Sequence, residues 1–433
     1  MDRYKIEEML RWKNNPNRKP LIIKGARQVG KTWLMKDFAE KHFEKYVYVN
    51  FEEDQVLQNI FQQDFDTERI KTAISLRKQT SIDNTTLLLF DEIQAAPRGV
   101  TALKYFCENN REQPVIAAGS ILGISIHSHD SFPVGKVDFM ELYPMSFIEF
   151  LAANGHTDYI DLIEKHEWQK IPFVKDHLIW LLRYYYYVGG MPEAVDTYIR
   201  TNNLEEVRRI QQNIITTYNQ DFSKHAPTEQ VPRIRLVWNA IVGQLSKENK
   251  KFIYGVLKKG GRAKEFEIAI EWLKDAGLIY KVNRVKKGEI PLNAYEDLSC
   301  FKLFLLDVGL LAAMAKINAS TLIDGNILFS TYKGALTEQY VYQQIRDFAD
   351  FTYYWSAENS TGELDFLVQH NSKVIPIEVK AEENLKSRSL HAFVDRHNDM
   401  HGLRFSMSDY RNQDWMTNIP LYAISSNIFI QSE

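Results

Sequence analysis

The chain has 433 residues, of which 25% are charged and 45% hydrophobic, and its formal net charge is −3 at pH 7. These values are ordinary for a globular protein of roughly two to four domains, and they exclude a chain that is basic throughout. Cys107 and Cys300 match no zinc or redox spacing, and scarce cysteine fits a reducing compartment. We find no signal-peptide pattern and no apolar run near the roughly 20 residues of a spanning helix, so we expect a soluble cytoplasmic protein without a membrane partner.

The first motif directly follows an apolar, strand-like run. Residues 21–32 read LIIKGARQVGKT, which contains G-x-x-x-x-G-K-T. Glycines permit the tight turn in which successive backbone N–H groups face a polyphosphate, and the helix that follows adds its positive N-terminal dipole. In this pattern Lys31 contacts the β- and γ-phosphates and the Thr32 hydroxyl contacts Mg²⁺. The predicted nucleotide-binding residues of the loop are Gly25, Ala26, Arg27, Gln28, Val29, Gly30, Lys31 and Thr32.

Two further strand-like runs end in polar residues. The continuous apolar run Thr85–Phe90 is typical of a buried parallel strand and leads into Asp91 and Glu92. We expect Asp91 to hold the magnesium shell and Glu92 to act as the general base that polarises an attacking water. The next run ends in Gly-Ser, where P-loop enzymes of the AAA+ class place a polar sensor of the γ-phosphate. Ser120 is therefore a candidate catalytic residue, and an ordinary Gly-Ser turn is the alternative.

The middle of the chain is rich in helical patterns and in basic residues. Residues 231–292 contain fourteen Lys or Arg and six Asp or Glu, a balance of +8 in a chain whose total is −3. Helix, helix, turn, helix and strand follow one another here, which is the order of a winged helix-turn-helix with Arg262–Ala276 in the position that enters a major groove. Such a surface predicts salt-sensitive DNA binding with little sequence preference. A packing module with a solvated basic face is an equally good interpretation.

A second set of chemically suggestive residues lies near the C-terminal end of the sequence. Residues 361–381 read TGELDFLVQHNSKVIPIEVKA, two β-type runs separated by a turn. Glu378 and Lys380 are two apart on one strand, and Asp365 on the partner strand can reach the same face. Carboxylates beside an ammonium can coordinate Mg²⁺ and place a lysine near a nucleophilic water, and Glu338 on the preceding helix is a fourth candidate. The alternative is an exposed Glu–Lys ladder on an edge strand.

Taken together, the motifs resemble those of a known family. They read GARQVGKT, LLLFDEIQ, AAGS, ELYPMSFIEFL, GGMPEAV, FLLDVGLL, GELDFLV and IPIEVKA, in chain order. The chain resembles the prokaryotic AAA+-type ATPases that carry a C-terminal domain of unknown function with a restriction-endonuclease-like fold. The resemblance implies an α/β protein that comprises a P-loop NTPase parallel sheet with a helical lid, a winged helix-turn-helix middle and a PD-(D/E)XK nuclease-like α/β domain. The predicted boundaries are 1–150 for the ATPase domain, 151–227 for the lid or linker, 228–320 for the winged-helix domain and 321–433 for the nuclease-like domain.

This resemblance implies ATP and Mg²⁺ as cofactors and leaves three functional hypotheses open. The first is an ATP-hydrolysing switch coupled to the C-terminal segment. The second is an ATP-gated, Mg²⁺-dependent DNA nuclease centred on Asp365, Glu378 and Lys380. The third is a non-catalytic scaffold that binds DNA or protein. The identity of the macromolecular partner is left open between DNA, another protein and a second copy of the chain.

One position departs from the family pattern. Family members often have Gly-Arg shortly before the ELYP stretch, where this chain has Gly135 and Lys136. If that arginine acts as a transition-state cation, lysine keeps the charge but loses the bidentate fork, and hydrolysis is expected to be slow. The alternative is that the position is only structural.

Overall fold

The computed structural model describes residues 3–119, 133–247, 251–323, 330–357, 362–382, 387–397, 400–425 and 428. The chain forms two compact units. The first comprises Met1–Pro144 with Asp275–Gly277, and the second comprises Met145–Lys274 with Leu278–Glu433.

The first unit is built on a five-stranded sheet in the order β2-β3-β4-β1-β5, and every neighbouring pair is parallel. Its strands are β1 (Leu21–Lys24), β2 (Tyr46–Asn50), β3 (Leu87–Asp91), β4 (Val115–Ala118) and β5 (Asp138–Glu141). Its helices are α1 (Lys5–Asn14), α2 (Lys31–His42), α3 (Gln55–Gln58), α4 (Thr67–Lys78) and α5 (Gly99–Asn109). The predicted parallel α/β sheet is therefore confirmed.

Burial explains why the central strands have such uniformly apolar sequences. β3 and β4 are buried at every position, as expected for parallel strands that are covered on both faces. One layer of the core packs Ile22, Val49 and Phe90 of the strands with Ile70 of α4 and Phe106 of α5. The polar residue that ends β3 consequently lies at the edge of a rigid, buried scaffold.

The second unit joins a set of helices to an eight-stranded mixed sheet in the order β12-β13-β11-β10-β9-β8-β6-β7. Its helices are α6 (Phe147–Ala153), α7 (Thr157–Glu164), α8 (Lys175–Val188), α9 (Pro192–Thr201), α10 (Leu204–His225), α11 (Val231–Leu245), α12 (Tyr254–Leu257), α13 (Ala263–Asp275), α14 (Val308–Met314), α15 (Ala319–Ile323), α16 (Ser330–Ile345) and α17 (Arg388–Val394). Its strands are β6 (Ile279–Val285), β7 (Glu296–Leu305), β8 (Phe351–Ser356), β9 (Glu363–His370), β10 (Lys373–Val379), β11 (Gly402–Ser406), β12 (Arg411–Asn412) and β13 (Met416–Pro420).

The antiparallel hairpin of β6 and β7 extends the sheet that contains the predicted nuclease-like strands. β6 pairs with β7 on one side and runs parallel to β8 on the other, with Arg284 opposite Tyr354. The structure thus places strands from both the predicted winged-helix domain and the predicted C-terminal domain in a single sheet. The winged-helix and nuclease-like assignments are not confirmed.

Three of the family-like motifs meet at a buried aspartate in the second unit. Asp307, at the N-cap of α14, accepts hydrogen bonds from the backbone N–H groups of Gly190 (2.6 Å) and Leu310 (2.9 Å) and from Nε2 of Gln343 (3.2 Å). Gly190 also accepts from the backbone N–H of Met145 at 2.7 Å, and a Cβ on Gly190 would lie 2.0 Å from the Met145 carbonyl oxygen. The motifs ELYPM, GGMPEAV and FLLDVG therefore have a packing role.

Among the described residues, no helix combines the length and apolar character needed to cross a bilayer.

Replacing Asp307 by Ala is expected to destabilise the second unit strongly. The change leaves the buried N–H groups of Gly190 and Leu310 without their acceptor, at roughly 1–3 kcal/mol each, while Nε2 of Gln343 keeps the Tyr185 hydroxyl at 2.8 Å. We therefore expect a loss on the order of 2–5 kcal/mol in urea denaturation. Asp196→Ala, which removes a half-exposed aspartate from an i,i+4 pair with Arg200, is the matched control and should cost less than about 1 kcal/mol. Equal stabilities of the two variants would contradict the role of Asp307.

Candidate nucleotide-binding site

The phosphate-binding loop connects β1 to α2. Gly30 is the N-cap of α2 and has φ 95°, a left-handed conformation that favours glycine. Gly25 has φ 153°, and a Cβ there would lie 2.3 Å from the carbonyl oxygen of Leu142. Both glycines of the motif are thus required by backbone geometry. The turn between them leads directly into the first residue of α2, which is Lys31.

The ammonium of Lys31 is bound to its own loop in this structure. Nζ donates to the carbonyl oxygens of Gly25 at 2.9 Å and Ala26 at 2.7 Å, and the side chain is buried. These carbonyls hold the cation at the loop, where the sequence predicts the phosphates to bind.

Burial lowers the pKa of Lys31 to about 8. The carboxylates of Glu92 and Asp91 raise the pKa of Lys31, and the Arg27 guanidinium lowers it, but desolvation is the largest effect. A phosphate group placed beside this lysine would favour the charged form.

The predicted magnesium ligands are in direct contact. Thr32 Oγ1 donates to Oδ2 of Asp91 at 2.6 Å, although the residues are 59 positions apart in sequence. Asp91 ends β3 and is buried, and the Tyr48 hydroxyl of β2 donates to the same oxygen at 2.9 Å. A hydroxyl beside a carboxylate is a donor set that suits Mg²⁺, so these residues fit the predicted ion.

Glu92 lies next to Asp91 and has an unusual backbone conformation. Its φ is 49°, in the left-handed region, and its N–H donates to Oδ1 of Asp91 at 3.1 Å. The amide of Gln94 donates to Oε2 of Glu92. Strained non-glycine residues cluster at functional sites, and here the Gln94 contact orients the carboxylate of Glu92.

Comparisons with known proteins bear on each part of the chain. Residues 17–151 match the family described as AAA domain. This match includes the phosphate-binding loop, Asp91 and Glu92. It supports an AAA-type P-loop ATPase domain. Residues 179–321 and 333–424 match two families described as domains of unknown function, DUF8612 and DUF4143.

Whole-chain similarities are more distant. The uncharacterized protein MJ1544 of Methanocaldococcus jannaschii is 23% identical over 387 residues, which cover 86% of this chain and 77% of that protein. The Walker-type ATPase PABY2304 of Pyrococcus abyssi has a TM-score of 0.46 and 14% identity, and the similarity covers 72% of this chain and 95% of that one. The Orc1 protein of Aeropyrum pernix, solved in complex with DNA, has a TM-score of 0.27 and 11% identity, and the similarity covers 73% and 93% of the two chains.

Two further residues predicted for the AAA-type domain are Ser120 and Lys136. Ser120, the predicted γ-phosphate sensor, lies outside the described residues. Lys136 forms an ion pair with Glu108 at 3.0 Å, and both side chains are partly exposed.

Sequence reasoning missed Tyr48, Gln94 and Arg3. Arg3 is buried, and its Nη1 donates to the carbonyl oxygen of Val29 in the loop at 3.0 Å. It therefore stabilises the loop although it is not part of the motif. No local signal marks Tyr48 or Arg3, because their roles depend on contacts with distant segments. Gln94 could have been found, since it lies two residues after Glu92.

The predicted C-terminal acids lie in the sheet of the second unit. The backbone N–H of Val379 donates to Oδ2 of Asp365 at 2.7 Å, and Oε1 of Glu378 forms an ion pair with Nζ of Lys380 at 2.9 Å. Glu378 is only 5% exposed, and β10 lies between β9 and β11. The alternative interpretation, an exposed ladder on an edge strand, is therefore wrong.

Glu338 is buried on α16 and has a cationic neighbour that sequence reasoning did not identify. Its Oε2 lies 3.7 Å from Nζ of Lys302 on β7. Within the part of the chain that the structure describes, no group of three or more His, Cys, Asp or Glu side chains is arranged to hold a metal ion.

In the basic segment, three exposed cations lie at the turn before α13. Lys258, Lys259 and Arg262 are exposed, and Lys258 is 3.7 Å from Glu265. The elements α11, α12, α13, β6 and β7 follow in the predicted order.

The low pKa of Lys31 leads to a prediction about proton uptake. Above pH 8 the unliganded lysine is mostly neutral, and phosphate contact favours its charged form, so binding of Mg-ATP at pH 8.5 should take up between about half and one proton. At pH 6.5 the lysine is already protonated and contributes no uptake. Calorimetric titrations in buffers of different ionisation enthalpy measure the difference.

Lys31→Arg is the control, because its guanidinium stays protonated at both pH values. Wild-type uptake that is the same at pH 6.5 and pH 8.5 would contradict the assignment of Lys31 to the phosphates.

Proposed function

We propose that the AAA-type domain binds ATP with Mg²⁺ and hydrolyses it. The observation that carries this proposal is the 2.6 Å contact between Thr32 and Asp91, at the end of the loop that presents Lys31. A hydroxyl, a carboxylate and an ammonium at the edge of a parallel sheet form the set that a magnesium-bound triphosphate requires.

Each residue of the set has a distinct task in this proposal. Lys31 leaves the loop carbonyls and neutralises the β- and γ-phosphates. Thr32 and Asp91 would hold Mg²⁺, which would neutralise charge on the transferred phosphoryl group. Glu92 accepts a proton from the attacking water, and the Gln94 amide keeps its carboxylate oriented.

Other parts of the proposal rest on the sequence. Ser120 senses the γ-phosphate, and the hydrolysis cycle acts as a switch for the second unit of the chain. Hydrolysis is slow, since Lys136 supplies no bidentate fork and is paired with Glu108.

A second proposed activity of the chain is salt-dependent DNA binding by the basic segment. It is favoured by the exposure of Lys258, Lys259 and Arg262 at the turn before α13, in the element order of a winged helix-turn-helix. These cations would contact phosphates and carry little sequence preference.

Substitutions at Lys31 and Glu92 separate nucleotide binding from hydrolysis. Lys31→Ala removes charge-assisted contacts to the phosphates and should weaken Mg-ATP binding on the order of 100-fold. Glu92→Gln removes the general base, so turnover should fall roughly 10²- to 10⁴-fold while ATP affinity stays within about threefold. Calorimetry and a phosphate-release assay provide the two readouts.

Glu52→Gln is the matched control, because Glu52 is exposed in the same unit, and both readouts should stay at the wild-type level. Unchanged ATP affinity in Lys31→Ala would refute the site, and unchanged turnover in Glu92→Gln would refute the base.

Charge reversal tests the DNA-binding proposal. Lys258→Glu, Lys259→Glu and Arg262→Glu together should weaken binding to duplexes of unrelated sequence by at least about tenfold at low salt. They should also reduce the slope of log affinity against log salt by about 2–3 in fluorescence anisotropy.

The matched control reverses three cations of similar exposure in the same unit, namely Lys165, Lys170 and Arg200. DNA binding that does not respond to salt, or that both triple variants weaken equally, would count against the basic segment.

A further inference from the structure

Tyr48 lies in the middle of β2, a strand that contains none of the nucleotide-binding motifs. Its neighbours Val47 and Val49 are buried in the core, whereas Tyr48 lies on the half-buried face of the strand. β2 runs parallel to β3, and Asn50, two residues further along, is opposite Asp91. The tyrosine therefore reaches the end of β3 from a neighbouring strand.

Within the described chain, three groups donate hydrogen bonds to the Asp91 carboxylate. The hydroxyls of Tyr48 and Thr32 donate to Oδ2 at 2.9 Å and 2.6 Å, and the backbone N–H of Glu92 donates to Oδ1 at 3.1 Å. Rotation about the last side-chain bond of an aspartate is soft, so such hydrogen bonds decide where its oxygens point. Because a hydroxyl has one proton and two lone pairs, Thr32 can keep this bond and still offer its oxygen to an ion.

The aromatic ring of Tyr48 is held by the helix that follows the phosphate-binding loop. Nζ of Lys36 lies 3.9 Å from the centroid of this ring, within the range of a cation–π interaction. Lys36 comes four residues after Thr32 on α2, so the two side chains lie on the same side of the helix. The contacts thus run from α2 through Asp91 of β3 and Tyr48 of β2 and return to α2.

We infer that Tyr48 is a positioning residue that orients Asp91 toward the divalent ion and thereby sets how much Mg²⁺ strengthens nucleotide binding. This inference rests on the proposed function, because it assigns a role at the same site. Hydrogen bonds that orient a metal ligand are typically worth about 10- to 100-fold in metal affinity. Lys31 donates to the carbonyl oxygens of its own loop, outside this set of contacts, so phosphate binding without metal should not depend on Tyr48.

Tyr48→Phe tests the role, because it removes the hydroxyl and keeps the ring beside Lys36. Calorimetry on the full chain measures the affinity of a non-hydrolysable ATP analogue in EDTA and in saturating Mg²⁺. The gain in affinity that Mg²⁺ produces should be about tenfold smaller in Tyr48→Phe than in the wild type, since Thr32 and Glu92 still bond Asp91. The affinity in EDTA should stay within about twofold of the wild type.

Tyr46→Phe is the matched control, because Tyr46 lies on the same face of β2 and its hydroxyl donates to the exposed Glu40 at 3.2 Å. Both affinities should remain at the wild-type level in this variant. Asp91→Asn provides the second comparison. If Tyr48 acts through Asp91, adding Tyr48→Phe to Asp91→Asn should change the Mg²⁺ gain by less than about twofold.

Lys36→Met is a second variant that leaves the Tyr48 hydroxyl in place, and it serves if Tyr48→Phe folds poorly in urea denaturation. Loss of the cation over the ring should reduce the Mg²⁺ gain by about two- to fivefold. A folded Lys36→Met variant with the full gain would then contradict the role of Tyr48.

The outcomes separate this inference from the proposed function. A Mg²⁺ gain in Tyr48→Phe as large as in the wild type would overturn the inference and leave the nucleotide site intact. Equal weakening in EDTA and in Mg²⁺ would overturn it as well, because Tyr48 would then only support the fold. A wild-type chain that binds the analogue no more tightly with Mg²⁺ than in EDTA would refute the magnesium site itself, and the inference with it.

Discussion

The nucleotide site depends on the contact between the Thr32 hydroxyl and the Asp91 carboxylate. This contact joins the start of α2 to the end of β3, and it forms because β4 pairs in parallel with both β1 and β3. Parallel strands of one sheet end at the same edge, so the sheet brings together residues that are 59 positions apart. Any change that shifts the register of β3 would separate Asp91 from Thr32 and the phosphate-binding loop.

The loop itself combines fixed and adjustable parts. Its glycine conformations are fixed by backbone geometry, whereas the Lys31 ammonium is held by carbonyl oxygens that phosphate oxygens can replace. Burial lowers the pKa of Lys31 to about 8. When phosphate oxygens replace the carbonyl oxygens, the charged form of the lysine is favoured again. The loop thus holds the cation close to the position where its charge is needed, and the Gln94 amide orients the carboxylate of Glu92 nearby.

Local patterns in the sequence predicted the parallel sheet, the glycine loop and the strand that ends in Asp91, because each depends on residues close together in the chain. Tyr48 and Lys302 could not be found in this way. Their contacts depend on which strands are neighbours, and β6 and β7 extend a sheet that the sequence did not assign to them. The buried position of Glu378 likewise follows from strand order. The nuclease hypothesis stays a prediction from the sequence.

The most direct measurement of the central claim is an experimental structure of the chain with Mg²⁺ and a non-hydrolysable ATP analogue. It should show Lys31 moved from the carbonyls of Gly25 and Ala26 onto the β- and γ-phosphates, with Mg²⁺ between Thr32 and Asp91. A nucleotide bound elsewhere, with Lys31 still on the loop carbonyls and Thr32 still bonded to Asp91, would contradict the account.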